Sequence, residues 1–358
     1  MLISDIARLR LHAQQITHHS CKTPQALVSY MGPMQAQDYN GGKYAIGVRL
    51  PNATLPVVEK AVNQAKIIRT WVFRGTLHLV TPEDIRWMTA LVKDRLQQRL
   101  RSVEKTLAIK ESDYPKIYQL LLREMKGGRQ LLKSEIEDLI TRHKFHSDYM
   151  RYLLLRASLE GVICHGPLRG KQFTFTLLDE WSPGENNVTT EEALGMLAAR
   201  YFTSHGPATV ADFMTYAGIT LREANTGLEI ARPALESFTI DKSVWWCGKG
   251  LLKSAKPVPR AILLPPFDEI LVAYKDRSAM TPDQHKGKAM TSNGIFHPIL
   301  LLDGQLCGLW KRTIVKGGVD IELQPFRPLK KTDRQVFEAA CEHYANFMQL
   351  PLRNVSCA

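Results

Sequence analysis

One local plan recurs along this chain: a helix, a turn, a second helix and then a two-stranded hairpin. The clearest copy runs from Gln130 to Leu178. Ser134 stands where it can cap a helix carrying Ile136, Leu139 and Ile140 at helical spacing, with Glu137 in the capping-box position. The polar residues Lys144 to Ser147 read as the break. A second helix is predicted from Asp148, with Met150, Tyr152, Leu155 and Leu159 facing inward and Gly161 ending it. Val162-Ile163-Cys164 and Phe173-Thr174-Phe175 then alternate as strands around a turn from Gly166 to Lys171, which carries Arg169 and Lys171.

A second copy spans Leu194 to Cys247. Helices are predicted at Thr209 to Tyr216 and Leu221 to Arg232, separated by Gly218, and Phe238-Thr239-Ile240 with Val244-Trp245-Trp246 read as the hairpin. A weaker N-terminal copy places helices at Thr23 to Met31 and Leu55 to Ala65, then strands at Ile67 to Phe73 and Thr76 to Val80. Helix-turn-helix followed by a hairpin with a basic tip is the winged-helix plan, which serves DNA in some proteins and protein contacts in others.

The segment from Arg260 to Pro328 changes character. Asp303-Gly304 makes a hairpin turn between Ile299–Leu302 and Gln305–Cys307, and Lys316-Gly317-Gly318 turns again between Arg312–Val315 and Val319–Glu322. Consecutive antiparallel strands are expected here. From Lys331, Val336, Ala339, Ala340 and Tyr344 keep helical spacing, so a closing helix is expected, with Thr332 as its cap and its end before Pro351. The fold class is therefore α+β: three tandem winged-helix units and a C-terminal antiparallel β region. The expected partition is 1–125, 126–188, 189–256 and 257–358, the last being the β-rich region with its helix.

A hydrophobic fraction of 44% with 23% charged residues is ordinary for a globular chain, so extended disorder is excluded. No apolar run approaches the roughly 20 residues of a membrane helix. The opening Met1-Leu2-Ile3-Ser4-Asp5 lacks a basic stretch followed by an apolar one, so no secretory leader is expected. Cys21, Cys164, Cys247, Cys307, Cys341 and Cys357 are scattered, which fits free thiols in a cytoplasmic protein better than a zinc pair. Lys and Arg total 47 against 35 Asp and Glu, a formal charge of +12. Such a surplus suits a polyanion, because neutralised phosphates release counterions, although basic enzymes without nucleic acid are common.

The histidines give no metal site: His18 and His19 are adjacent, His143 and His146 lack a third ligand nearby, and His205, His285 and His297 are isolated. No strand is followed by a phosphate-binding glycine loop, and no cofactor is expected. What stands out is Gln35-Ala36-Gln37-Asp38-Tyr39, with Gly41-Gly42-Lys43 after it and Arg69 to His78 downstream. Two glutamines two apart project to one face if the backbone is extended.

Several of these segments together carry a resemblance. Gln35-Ala36-Gln37, Arg74-Gly75-Thr76-Leu77-His78, Thr209-Val210-Ala211-Asp212-Phe213 and Leu263-Leu264-Pro265-Pro266-Phe267-Asp268-Glu269, continuing to Tyr274-Lys275-Asp276-Arg277-Ser278, occur in order. Over nearly its whole length the sequence resembles the AlkZ and YcaQ group of winged-helix DNA glycosylases. The resemblance implies a C-shaped protein of three winged-helix units that excises alkylated purines, in some members from interstrand crosslinks. It also implies a catalytic Gln-x-Gln motif, as in the AlkZ branch, matched by Gln35 and Gln37. The YcaQ branch has Gln-x-Asp; here Asp38 supplies a carboxylate one position too late.

The chemistry of that motif is intelligible from the side chains. A purine alkylated at N7 is cationic and departs neutral, so no general acid is needed. What remains is to hold a water against the anomeric carbon and to favour an oxocarbenium-like sugar. An amide carbonyl serves both ends, while its NH2 fixes its orientation. Gln37 is expected to position the water and Gln35 to support it or the sugar. Without a lysine nucleophile at the motif, hydrolysis alone is expected, with no Schiff-base strand cleavage. Arg69, Arg74 and His78 either line the same cleft or tie strand to strand. Lys275 and Arg277 either contact phosphate or pair internally with Asp268 and Asp276. Lys43, Arg169, Lys171, Lys286, Lys288, Lys311 and Arg312 are expected backbone contacts by charge. The expected partner is duplex DNA bound by a monomer. The competing reading is a non-enzymatic winged-helix DNA binder such as a regulator, although regulators usually carry one such unit with a dimerisation module.

Overall fold

The computed structural model describes residues 3–107, 109–146, 148–254 and 260–358; Met1, Leu2 and Ser147, used in the sequence reading, lie outside them. The chain divides into two compact units, Met1–Glu59 with Leu194–Ala358, and Lys60–Ala193.

The first unit begins with α1 (Ile3–Ala13), α2 (Pro24–Met31), β1 (Met34–Gln35), α3 (Tyr39–Arg49) and α4 (Leu55–Asn63), the last running on across the division. The hydroxyl of Thr23 accepts the amide of Ala26 at 3.1 Å, and Pro24 opens α2, where a missing N–H costs nothing. Helix α3 has no counterpart in the sequence reading, because Gly41, Gly42 and Gly47 each disfavour a helix by about 1 kcal/mol. Packing explains their presence. A Cβ on Gly41 would lie 3.1 Å from Pro266, one on Gly42 would lie 3.0 Å from the carbonyl of Gln35, and one on Gly47 would enter the Phe347 ring.

The second unit contains β2 (Ile68–Trp71), β3 (Leu77–Val80), α5 (Pro82–Thr106), α6 (Asp113–Met125), β4 (Leu131–Leu132), α7 (Lys133–Arg142), α8 (Met150–Leu159), β5 (Ile163–Arg169), β6 (Gln172–Leu177) and α9 (Leu178–Trp181). Strands β2 and β3 pair antiparallel, and β4, β6 and β5 form an antiparallel sheet in that order. Ile117, Leu121, Ile136, Ile140, Leu153, Ile163 and Phe175 share its core. Helix α7 starts earlier than predicted. Strand β4 feeds straight into it, so Ser134 lies inside the helix, and Glu135 rather than Glu137 accepts the amide of Leu132 at 2.7 Å. In α8, Leu153 and Leu154 join Met150, Leu155 and Leu159 in the interior, while Tyr152 is half-buried. The hairpin is longer than expected: Gly166 lies within β5 beside a bulge, and only Gly170 and Lys171 make the turn.

The first unit resumes with α10 (Thr190–His205), which starts before the division, then α11 (Val210–Ala217), α12 (Leu221–Ala231), β7 (Leu235–Ile240), β8 (Ser243–Gly248), β9 (Ala261–Leu264), α13 (Glu269–Val272), β10 (Ile299–Leu302), β11 (Gln305–Val315), β12 (Gly318–Pro325), α14 (Lys331–Met348) and β13 (Leu352–Cys357). Capping boxes open α11 (Thr209 with Asp212) and α12 (Thr220 with Glu223), and Gly218 takes the left-handed conformation, φ 68°, that ends α11. The hairpin β7–β8 follows in antiparallel register. The C-terminal sheet has the order β13-β12-β11-β10-β9. The turn at Asp303-Gly304 is where the sequence put it, but the two short strands read at Gln305 and Arg312 are one strand of 11 residues. The sheet is also not antiparallel throughout. Helix α14 carries the chain back along the sheet, so β13 pairs parallel to β12, with Ile321 opposite Val355. Lys330 rather than Thr332 is the N-cap of α14. No helix among the described residues is long and apolar enough to cross a membrane.

Candidate active site

Strand β1 ends at Gln35, and the chain bends at Gln37 and Asp38 to enter α3. The two glutamines therefore do not share the face that an extended backbone would give them. Gln35 is buried, with 6% of its surface exposed, whereas Gln37 is exposed. The Gln35 carboxamide folds back on the chain: its Oε1 accepts the amides of Ala36 and Gln37, both at 3.1 Å. The carboxylate of Asp38 accepts the amide of Gly41 and caps α3. Asp38 thus starts the helix that fixes the position of Gln37.

Beneath the motif lies a buried polar network. The backbone N–H of Gln35 donates to Glu269 Oε1 at 2.6 Å. His205 Nε2 stands 3.7 Å from the other oxygen of Glu269, and His205 Nδ1 is 2.8 Å from Ser204 Oγ. Burial holds the His205 imidazole below its ordinary pKa, outweighing the raising effect of Glu269. Asp268 caps α13 through the amide of Ile270 and receives both terminal nitrogens of Arg49 at 2.9 Å. Arg49 also donates to Gln14 Oε1, Gln14 Nε2 to the Tyr274 hydroxyl, and that hydroxyl to the carbonyl of His205. Arg10 lies over the Tyr274 ring at 3.5 Å and 3.6 Å from Asp212, whose other oxygen takes the amides of Lys275 and Asp276. Such a network rigidifies what it holds because its members cannot turn to water.

The remaining candidates divide. Lys43 is a correction: it is 2% exposed, its ammonium meets Glu59 at 2.7 Å, and it lies over the Tyr39 ring, so its charge is spent inside the fold. Lys275 is exposed, and Arg277 is half-buried, with Nε bonded to the carbonyl of Leu271 and its guanidinium over Phe296. A cavity of about 240 Å³ brings Lys275, Arg277 and Lys286 together with Phe296. Lys286 pairs with Asp283 at 2.6 Å, and Lys288 lies over the Phe326 ring at 4.8 Å. Lys311 is exposed beside the half-buried Arg312 on β11, and both line a cavity with Trp310 and His297.

Three further candidates, Arg69, Arg74 and His78, belong to the second unit. Arg69 is buried against the Phe173 ring at 4.2 Å. Arg74 is half-buried in a left-handed conformation, φ 59°, in the short turn before β3. His78 is buried, with Nδ1 at 2.9 Å from the carbonyl of Thr76. At the hairpin tip Lys171 is exposed, while Arg169 is tied to Glu135 at 2.7 Å and to the carbonyl of Gln130. Among the described residues no group of three His, Cys, Asp or Glu side chains is placed to hold a metal ion.

Sequence reasoning did not assign roles to Arg49, His205 or Glu269. Glu269 closes a run that was singled out, but its partner lies 234 positions earlier, and no short-range pattern links the two.

The structure matches that of the Streptomyces sahachiroi DNA glycosylase AlkZ, with a TM-score of 0.83 and 18% identity over 99% of each chain, so the two share a mixed α+β fold. A Streptomyces sahachiroi protein described as an interstrand DNA cross-link repair glycosylase is 23% identical over 97% of each sequence. The sequence model of the DNA glycosylases described as AlkZ-like matches residues 28–347, and the chain belongs to that family.

Proposed function

We propose that this protein is a monofunctional DNA glycosylase that hydrolyses the N-glycosidic bond of purines alkylated at N7, including those in interstrand crosslinks. The last point rests on the description of the Streptomyces sahachiroi relative as a cross-link repair glycosylase. The observation that carries the reading is the division between the two glutamines. Gln35 has its carbonyl committed to two peptide amides, while Gln37 is exposed at the entrance to α3. Gln37 is thus the amide that holds the attacking water and presents its carbonyl dipole to the oxocarbenium-like sugar, and Gln35 shapes the loop that aims it. The cationic base leaves as a neutral molecule, taking the bonding electrons of the N-glycosidic bond, and water supplies the hydroxyl to the sugar with loss of a proton. Lys43, the lysine nearest in sequence to the motif, is buried and paired with Glu59, which supports hydrolysis without a Schiff base.

The helix–helix–hairpin segments are proposed as winged-helix units that hold the duplex, within the four-part division 1–125, 126–188, 189–256 and 257–358. Exposed Lys171, Lys275, Lys288 and Lys311 and the net charge of +12 supply the phosphate contacts. The test is release of free N7-methylguanine from a methylated duplex, run in parallel with borohydride trapping. Base release without a trapped adduct supports the reading. A trapped adduct overturns the monofunctional assignment, and DNA binding without base release leaves the non-enzymatic binder.

A further inference from the structure

We infer that Glu269 is a positioning residue for the Gln35–Gln37 motif, acting through the backbone of Gln35; the functional part of this inference rests on the glycosylase reading above. Its carboxylate is 2% exposed and accepts the Gln35 N–H at 2.6 Å. Gln35 in turn spends its side-chain carbonyl on the amides of Ala36 and Gln37. The chain of contacts therefore runs from Glu269 through the Gln35 backbone and carboxamide to the peptide of Gln37.

The adjacent Asp268 grips the other end of the same segment. It holds Arg49, the last residue of α3, through two bonds of 2.9 Å. Two consecutive acidic residues thus hold residues 35 and 49, a segment that takes in Gln37 and α3. Gly41 and Gly42 allow the close approach this requires, facing Pro266 and the Gln35–Ala36 backbone. Glu269 does not reach the sugar or the water in this scheme; it sets the register in which Gln37 presents its amide. His205, on α10, stands 3.7 Å from the second oxygen of Glu269.

The experiment compares the full-length wild type with Glu269→Ala and Glu269→Gln, the latter keeping an oxygen that can accept the Gln35 N–H. Residue-resolved amide hydrogen exchange at Gln35 to Gln37, single-turnover base release and circular dichroism are measured on each. Expected is faster exchange at Gln35 in Glu269→Ala, partly restored in Glu269→Gln, with helix content retained. The single-turnover rate should fall on the order of a hundredfold in the alanine variant, as for a motif displaced by about 1 Å. In the glutamine variant the rate should fall less, roughly fivefold, because an amide oxygen keeps the acceptor for the Gln35 N–H. The enzyme concentration that gives half the maximal single-turnover rate should stay within about twofold, because uniform binding is untouched. Unchanged exchange at Gln35 in Glu269→Ala, or an unchanged single-turnover rate, overturns the inference. If that variant does not fold, the same two readouts on Glu269→Gln decide. If the wild type releases no base, the glycosylase reading fails on its own and the exchange comparison still decides whether Glu269 anchors the loop.

Discussion

Arg49 and Asp268, 219 positions apart, meet through two parallel hydrogen bonds of 2.9 Å, and neither side chain is more than 1% exposed. Two charges withdrawn from water in this way stabilise the fold only as a pair. Arg49 reaches Asp268 because it ends the glycine-rich helix that follows Gln37, and Asp268 caps the short helix that begins with Glu269.

Replacing Arg49 by Met therefore leaves a buried carboxylate uncompensated. The expected cost is about 3–5 kcal/mol, and Arg49→Lys should recover only part of it because an ammonium cannot make the bidentate contact. Urea unfolding of the two variants checks this, and a loss under about 1 kcal/mol in Arg49→Met would show that the pair is dispensable.

Gly42→Ala tests the packing against the motif. On helix propensity alone the change should stabilise α3 by about 1 kcal/mol. The new Cβ would stand 3.0 Å from the Gln35 carbonyl and 3.0 Å from the Ala36 Cβ, so the loop must give way. A net loss of about 1–3 kcal/mol is expected, together with lower base release. A variant more stable than the wild type with full activity would show that the contact yields freely.

How much of this was legible from the sequence follows from the range of the interactions. Helices α11 and α12 were readable from their own residues and from Gly218 between them, whereas the capping boxes of Thr209 with Asp212 and Thr220 with Glu223 came only with the structure. The Asp303-Gly304 hairpin was likewise readable from its own residues. Helix α3 was not, since its glycines answer to Pro266 and Phe347 far along the chain. Strand β13 was missed because its partner β12 is reached only after α14. Gln35 and Gln37 were named from the motif, but their different exposure follows from a bend that two glutamines and an alanine do not announce. Lys43 read as a surface cation because charge in a sequence carries no sign of Glu59 waiting 16 positions on.

Histidines withdrawn from water are expected to weaken the fold in acid. His165, packed against Trp71 and Phe175, is pushed well below the usual 6.5 by burial, with Arg69 adding to the effect. His205 and His343 are lowered by burial as well. In each case the unfolded chain takes up the proton first. The stability these rings contribute is complete above pH 6.5 and is lost as the pH falls from there toward the folded values. Each ring costs up to about 1.4 kcal/mol per pH unit in that window. Tm should be level from pH 7 to 8 and fall steadily between pH 6.5 and 5. His165→Phe, if it folds, should flatten that fall; an unchanged slope would place the acid sensitivity elsewhere.

The most direct test of the account is the single-turnover rate of N7-methylguanine release by Gln37→Ala at saturating enzyme, with duplex affinity measured alongside. Loss of the one exposed amide of the motif should lower the rate on the order of 10²–10³-fold, as for other lost transition-state dipoles, while affinity for the duplex stays near that of the wild type. A Gln37→Ala protein that releases the base at the wild-type rate would contradict it.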